Sequence, residues 1–124
     1  MKSCKILIAD DNQSFRRRLK TILENTPDSV IVGEAEDGFQ VIKESRRLKP
    51  DLILMDVSMP GMNGLDTLKK LKKDMPHIKI IMLSIFDMDE YRKAALESGA
   101  HHYLIKKEMI DHLIPAIKAV MKTP

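Results

Sequence analysis

Tryptophan is absent from this chain, and only three phenylalanines and two tyrosines are spread over its 124 residues. So few aromatics leave no platform interleaved with basic residues on which nucleobases could stack. Cysteine is nearly absent as well. Cys4 stands alone, so no internal disulfide can form, which fits a reducing cytoplasm. It opens the first apolar run and reads as a small buried or edge residue. No apolar stretch approaches the roughly 20 residues of a membrane span. The run after Met1-Lys2-Ser3 is also too short for the core of a signal peptide. These absences predict a cytoplasmic protein with no membrane contact. No charge of one sign dominates, and a net charge of +3 is too mild to argue for nucleic acid. Arg16-Arg17-Arg18 and Lys69, Lys70, Lys72 and Lys73 read as the solvated faces of two helices. Repeats, low-complexity segments and linkers are lacking, so residues 1–124 read as a single domain.

What is present is a globular composition, 44% apolar and 31% charged. A chain of this size buries roughly two-thirds of its unfolded surface, enough for a core without staples. Short apolar runs alternate with helical patterns, as in a βαβ series. A first helix carries Phe15, Leu19, Ile22 and Leu23 on one face and stops at Pro27. Val30-Ile31-Val32 forms the second strand, and Asp37-Gly38 turns into a helix with Val41, Ile42 and Leu48. Pro50 ends that segment, and a third strand begins near Leu52. A loop through Pro60-Gly61 and Asn63-Gly64 leads to a helix with Leu65, Leu68, Leu71 and Met75, and Pro76 resets the chain. The fourth helix shows only Tyr91, Ala94, Ala95 and Ser98 before Gly99, so it buries little and is loosely held. The last helix carries Ile110, Leu113, Ile114, Ile117, Val120 and Met121. Pro115 makes it either start late, near Asp111, or bend. The strands are continuously apolar, as strands covered on both faces are. The expected fold is α/β, a flavodoxin-like three-layer sandwich whose five parallel strands run in the order 2-1-3-4-5 with five helices.

Four apolar runs end on polar residues. Ile6-Leu7-Ile8-Ala9 precedes Asp10-Asp11, Leu52-Ile53-Leu54-Met55 precedes Asp56, Ile80-Ile81-Met82-Leu83 precedes Ser84, and Tyr103-Leu104-Ile105 precedes Lys106. Singly, each has a plain reading. Asp10-Asp11-Asn12 can cap a helix, Ser84 can be a turn residue, and Lys106 can be a surface lysine. As ends of parallel strands they meet in the crevice where open α/β sheets bind ligands. Clustered carboxylates repel one another, and a hard divalent cation such as Mg²⁺ resolves the conflict. Asp10-Asp11-Asn12-Gln13 lacks the alternating acids and the glycine of a calcium loop. His101-His102 is a poor metal pair, because neighbouring strand residues face opposite ways. Asp56 ends the central strand before an irregular loop, which makes it the best nucleophile for forming an acyl phosphate. Lys106 supplies positive charge and Ser84 a hydrogen bond to the phosphoryl oxygens.

The chain resembles the receiver domains of bacterial two-component response regulators. The residues that carry the resemblance are Ile8-Ala9-Asp10-Asp11, the segment from Leu54-Met55-Asp56 through Pro60-Gly61-Met62-Asn63-Gly64, Ser84, and Gly99 through Lys106. Val32-Gly33-Glu34-Ala35 and Tyr103-Leu104-Ile105-Lys106 are most similar to the NarL/FixJ group, whose members usually carry a LuxR-type helix-turn-helix after the receiver. The resemblance implies that Asp56 accepts phosphate from a sensor histidine kinase. It implies that Asp11, Asp56 and the backbone carbonyl of Ser58 bind Mg²⁺, with Asp10 acting through water. Ser84 and Lys106 contact the phosphoryl group, and Tyr103 is the switch aromatic that moves with Ser84. The implied protein is a phosphorylation-controlled signalling switch rather than an enzyme, one that assists its own phosphorylation and dephosphorylation. Its output is transcriptional control, or a stand-alone receiver acts through protein–protein contacts or phosphorelay. Implied partners are the kinase, a C-terminal helix-turn-helix and DNA if the natural chain runs past Pro124, and a second copy on phosphorylation.

Three positions depart from that pattern. Ile85 follows Ser84 where many receivers have a small residue, and either narrows access to the site or packs into the core under the fourth helix. Lys107 stands where many have proline, and a cis peptide there would cost roughly 3–4 kcal/mol. His101-His102 replaces smaller or acidic residues. Other functions meet specific obstacles. An aspartyl-phosphate phosphatase needs a second acid two residues after the nucleophile, and Ser58 is there. Asp10-Asp11-Asn12 would repel the phosphate of a flavin. A degenerate, interaction-only receiver would not keep Asp10, Asp11, Asp56, Ser84 and Lys106 together.

Overall fold

Each apolar run becomes a strand of one parallel sheet. The computed structural model describes residues 3–122. The strands are β1 (Cys4–Ala9), β2 (Ser29–Ala35), β3 (Leu52–Asp56), β4 (Lys79–Ser84) and β5 (His102–Ile105). The helices are α1 (Gln13–Glu24), α2 (Gly38–Leu48), α3 (Gly64–Asp74), α4 (Asp89–Glu97) and α5 (Met109–Lys122), with a 3₁₀ turn at Lys106–Glu108. The spatial order is β2-β1-β3-β4-β5, as expected. Side chains alternate across each strand, so the sheet has two apolar faces. Leu7, Ile53, Met55, Ile80 and Met82 meet Val41 of α2 and Leu68 and Leu71 of α3. Ile6, Ile8, Leu54, Ile81 and Leu83 meet Leu19 of α1 and Leu113 and Ile117 of α5. A helical layer on each side of the sheet completes the three-layer sandwich. No helix among the described residues is long and apolar enough to cross a membrane.

Several local expectations are corrected. β2 runs beyond Val30-Ile31-Val32 through Gly33, Glu34 and Ala35. Ile6 pairs with Ile31 and Leu7 with Gly33, so Val32 is an extra residue bulged from the ladder. β2 is an edge strand with Ala35 alone buried, and double coverage holds for β1, β3 and β4 but not here. α5 begins at Met109, which takes the core position, while Ile110 is 68% exposed. The helix continues through Pro115, which has no amide hydrogen for the carbonyl one turn back. Every peptide bond among the described residues is trans, so the one at Lys107 is too. His101 is structural, since its Nδ1 accepts the Ile80 N–H at 3.1 Å.

Candidate functional site

The carboxyl ends of β1, β3, β4 and β5 bring the four sequence-marked positions to one edge of the sheet. Asp10 follows β1 and is fully buried. Its Oδ1 accepts the Asn12 N–H at 2.8 Å, closing a tight turn, and Asn12 Oδ1 then accepts the Phe15 N–H at 3.0 Å. The helix cap is therefore Asn12, and neither aspartate is used for it. Asp11 is left exposed at the mouth of the crevice. Asp56 ends β3, is 6% exposed, and accepts the Ser58 N–H on Oδ1 at 3.2 Å. The loop after it folds straight back, with Gly64 N–H donating to the Val57 carbonyl at 2.9 Å. A Cβ at Gly64 would collide with the Asp56 carbonyl, so that close return requires glycine.

Lys106, the first residue after β5, reaches across the sheet edge. Its Nζ donates to Asp10 Oδ2 at 2.6 Å and to Asp56 Oδ2 at 3.4 Å. The ammonium also lies 4.0 Å from the centre of the Phe15 ring, a cation–π contact that steadies it. One oxygen from each of Asp10, Asp11 and Asp56 lies within 4.8 Å of the other two. Three carboxylates face one ammonium, so the negative charge is not balanced. Burial first, and the neighbouring Asp10 charge second, push the Asp56 carboxyl up from its ordinary range to about 6, while Lys106 and the Ser58 amide hold it down. A small hard cation among these oxygens would relieve that penalty, and the all-oxygen donor set is the chemistry Mg²⁺ prefers.

Ser84 and Tyr103 belong to a neighbouring network. Ser84 Oγ accepts the Phe86 N–H at 2.9 Å, so Phe86 joins it to Tyr103. Tyr103 is buried and donates to the Phe86 carbonyl at 2.9 Å. Arg92 of α4 donates to the Tyr103 carbonyl at 3.2 Å and lies 5.1 Å above its ring. Ile85 is 70% exposed, which overturns its reading as a core residue. With Asn12, Phe15 and Lys106 it lines a groove of about 330 Å³ beside the acids.

The basic clusters are solvated with two exceptions. Lys72 is half-buried and donates to the Pro76 carbonyl at 3.3 Å. Arg16 is 7% exposed and donates to the Asp10 carbonyl at 2.5 Å. Its neighbours Arg17 and Arg18 are exposed and masked the signal that was present, since Arg16 stands three residues before Leu19 and seven before Leu23, on the buried stripe of α1.

The response regulator receiver domain model matches residues 6–118. This chain belongs to that family. Receiver domains of transcriptional regulators are among its relatives. It is 39% identical to the transcriptional regulatory protein DegU of Brevibacillus brevis over 116 residues, 94% of this chain and 49% of that protein. It is 40% identical to the nitrate/nitrite response regulator NarL of Escherichia coli K12 over 112 residues, 90% of this chain and 52% of that protein. This receiver chain thus spans about half the length of the curated relatives it matches. Among solved structures, the isolated REC domain of RcsB from Salmonella enterica serovar Typhimurium, determined with the phosphomimetic BeF3-, superposes with a TM-score of 0.92 at 26% identity. That match covers 98% of this chain and 91% of the RcsB one.

Proposed function

We propose that this domain, residues 1–124 acting as one unit, is a switch that carries a phosphoryl group on Asp56. The observation that carries this reading is the buried Asp56 carboxylate at the end of the central strand, bridged to Asp10 by the Lys106 ammonium. A Mg²⁺ ion held by Asp11, Asp56 and the Ser58 carbonyl, with Asp10 acting through water, would neutralise charge on the phosphoryl oxygens. The donor is a phosphohistidine of a sensor kinase. An Asp56 oxygen forms the new P–O bond as the donor's P–N bond breaks, and the electron pair of that bond stays on the imidazole nitrogen. Above pH about 6 Asp56 is ionised and its lone pair is free to attack. Lys106 is already within reach of the Asp56 oxygens and transfers its contact to the phosphoryl group. Ser84 leaves the Phe86 amide to donate to the same group, and Tyr103, bonded to the Phe86 carbonyl, follows. The domain thereby assists both its own phosphorylation and the later attack of water.

The output is transcriptional, through a helix-turn-helix domain and DNA, a reading supported by the relative DegU, whose name is that of a transcriptional regulatory protein. The setting is cytoplasmic, and phosphorylation favours a homodimer. Incubation with a small acyl phosphate and Mg²⁺ tests the chemistry. One phosphoryl group is expected by intact mass, and none on Asp56→Asn. A fully labelled Asp56→Asn would overturn the assignment.

A further inference from the structure

Arg16 directs its donors to three acceptors on two segments, the turn after β1 and the end of β2. Nη1 donates to the Asp10 main-chain carbonyl at 2.5 Å, Nε donates to Glu34 at 2.8 Å, and Nη2 reaches Glu36 at 3.5 Å. Glu34 ends β2 together with Ala35 and is also paired with Lys20 of α1. The guanidinium charge is thus matched by carboxylates on the β2 side. What reaches toward the site is a directed hydrogen bond rather than net charge. That bond falls on a specific oxygen. The Asp10 carbonyl belongs to the peptide unit that joins Asp10 to Asp11, and both acid side chains diverge from that unit. Its plane is rigid, so fixing the oxygen fixes the direction in which the chain leaves Asp10 for Asp11. The Asp10 side chain is separately held by the Asn12 amide and by Lys106. Asp11 is exposed, and its side chain has no such brace among the described residues.

We propose that Arg16 is a positioning residue for the acidic pair, clamping the peptide between Asp10 and Asp11 against β2 so that Asp11 meets a divalent cation in a preset place. This rests on the proposed function, in which Asp11 is a metal ligand. Arg16 is too far back in the chain's packing to be a ligand itself, being a buried cation bonded to two carboxylates. Its effect belongs to the residues that orient ligands from behind. Losing such a partner costs metal affinity without removing any ligand atom. A lysine in its place offers one point charge and no fork, so it can serve the carbonyl or the glutamates but not both with the same geometry.

The test is a Mg²⁺ titration of the whole unphosphorylated chain, read on the backbone amide signals of Asp11 and Asn12. Arg16→Gln is expected to raise the Mg²⁺ dissociation constant by roughly tenfold or more. Arg16→Lys is expected to raise it less. Glu34→Gln, which spares the bond to the Asp10 carbonyl, is expected to raise it least while lowering the melting temperature comparably to Arg16→Gln. Labelling by a small acyl phosphate should need more Mg²⁺ in Arg16→Gln yet approach the wild-type rate at saturation. If Arg16→Gln does not fold, Arg16→Lys against Glu34→Gln carries the same comparison. An arginine variant that folds and binds Mg²⁺ as tightly as Glu34→Gln would overturn the clamp and leave the proposed function standing. A wild-type chain whose Asp11 and Asn12 amides ignore Mg²⁺ would overturn both.

Discussion

α1 and α4 both begin just past a strand end that carries a site residue, Asp10 in one case and Ser84 in the other, yet they are held in opposite ways. α1 starts on Asn12, whose side chain caps it, and buries Phe15, Arg16, Leu19 and Leu23. α4 starts on Met88, which makes no side-chain cap, and buries Ala95 alone. Its other attachments include the half-buried Tyr91 packed against the core, the Phe86–Tyr91 ring stack at 4.9 Å and the Arg92 contacts to Tyr103. Large apolar side chains resist displacement because each carries a transfer and a cavity cost, whereas ring stacks and single hydrogen bonds have alternatives close in energy. α1, which follows the acid-bearing strand end, is therefore firmly seated, and α4 is the helix held lightly enough to shift.

The comparison can be broken most sharply in the two helices themselves. Leu19→Ala is expected to cost roughly 2–5 kcal/mol in urea unfolding. Leu96→Ala on α4, 45% exposed, is expected to change stability by no more than about 0.5 kcal/mol. Similar losses at both positions would mean that α4 is as firmly seated as α1.

The acid cluster supplies the next effect. Asp56 carries a folded pKa of about 6 against an ordinary value of 3.8, so between those values the folded state holds more proton than the unfolded one. Ionised Asp56 therefore opposes folding above pH about 6, and that opposition is lost as pH falls toward 4. Asp56→Asn should stabilise the metal-free protein by roughly 1–3 kcal/mol at pH 7.5, with the gain shrinking toward pH 4. Melting temperatures of the two proteins across that range, in the presence of a chelator, check the sign. Added Mg²⁺ should raise the melting temperature of the wild type and narrow the difference.

Caps come third. Asn12→Ala should cost about 1 kcal/mol, and Met88→Asp, which gives α4 the cap it lacks, should gain a similar amount or less. A helix so anchored should also respond less to phosphorylation. Ile85→Ala should be smallest in stability, within about 0.5 kcal/mol, because the side chain is already in solvent. Its effect should appear in kinetics, as faster labelling by small donors and a shorter phosphoryl lifetime. Unchanged rates would end its role at the mouth of the site.

The strands and the convergence of Asp10, Asp11, Asp56 and Lys106 were legible because each rests on a local signal, an apolar run followed by a polar residue, while the strand order followed from the crossover rule for alternating strands and helices. The thin packing of α4 was legible too, from its alanines. What escaped reading depended on contacts between distant segments. Arg16 looked solvated beside Arg17 and Arg18, but its partners Glu34 and Glu36 lie at the end of an edge strand whose extent was itself underestimated. Ile110 stands three residues before Leu113, but Met109, four before Leu113 and eight before Ile117, took the core position. Ile85 followed a buried strand and was still turned outward, since the chain leaves the sheet at Ser84. The capping and metal readings of Asp10-Asp11-Asn12 competed in sequence, and in the structure the cap is Asn12 rather than either aspartate.

The contrast between the acid-bearing strands and a movable α4 is tested most directly by residue-resolved hydrogen exchange with and without phosphorylation in Mg²⁺. Altered exchange is expected across residues 85–107, with the amides of β1 and β3 equally protected in both states. Changes confined to α2, or loss of protection in β1 and β3 while residues 85–107 stay the same, would contradict it.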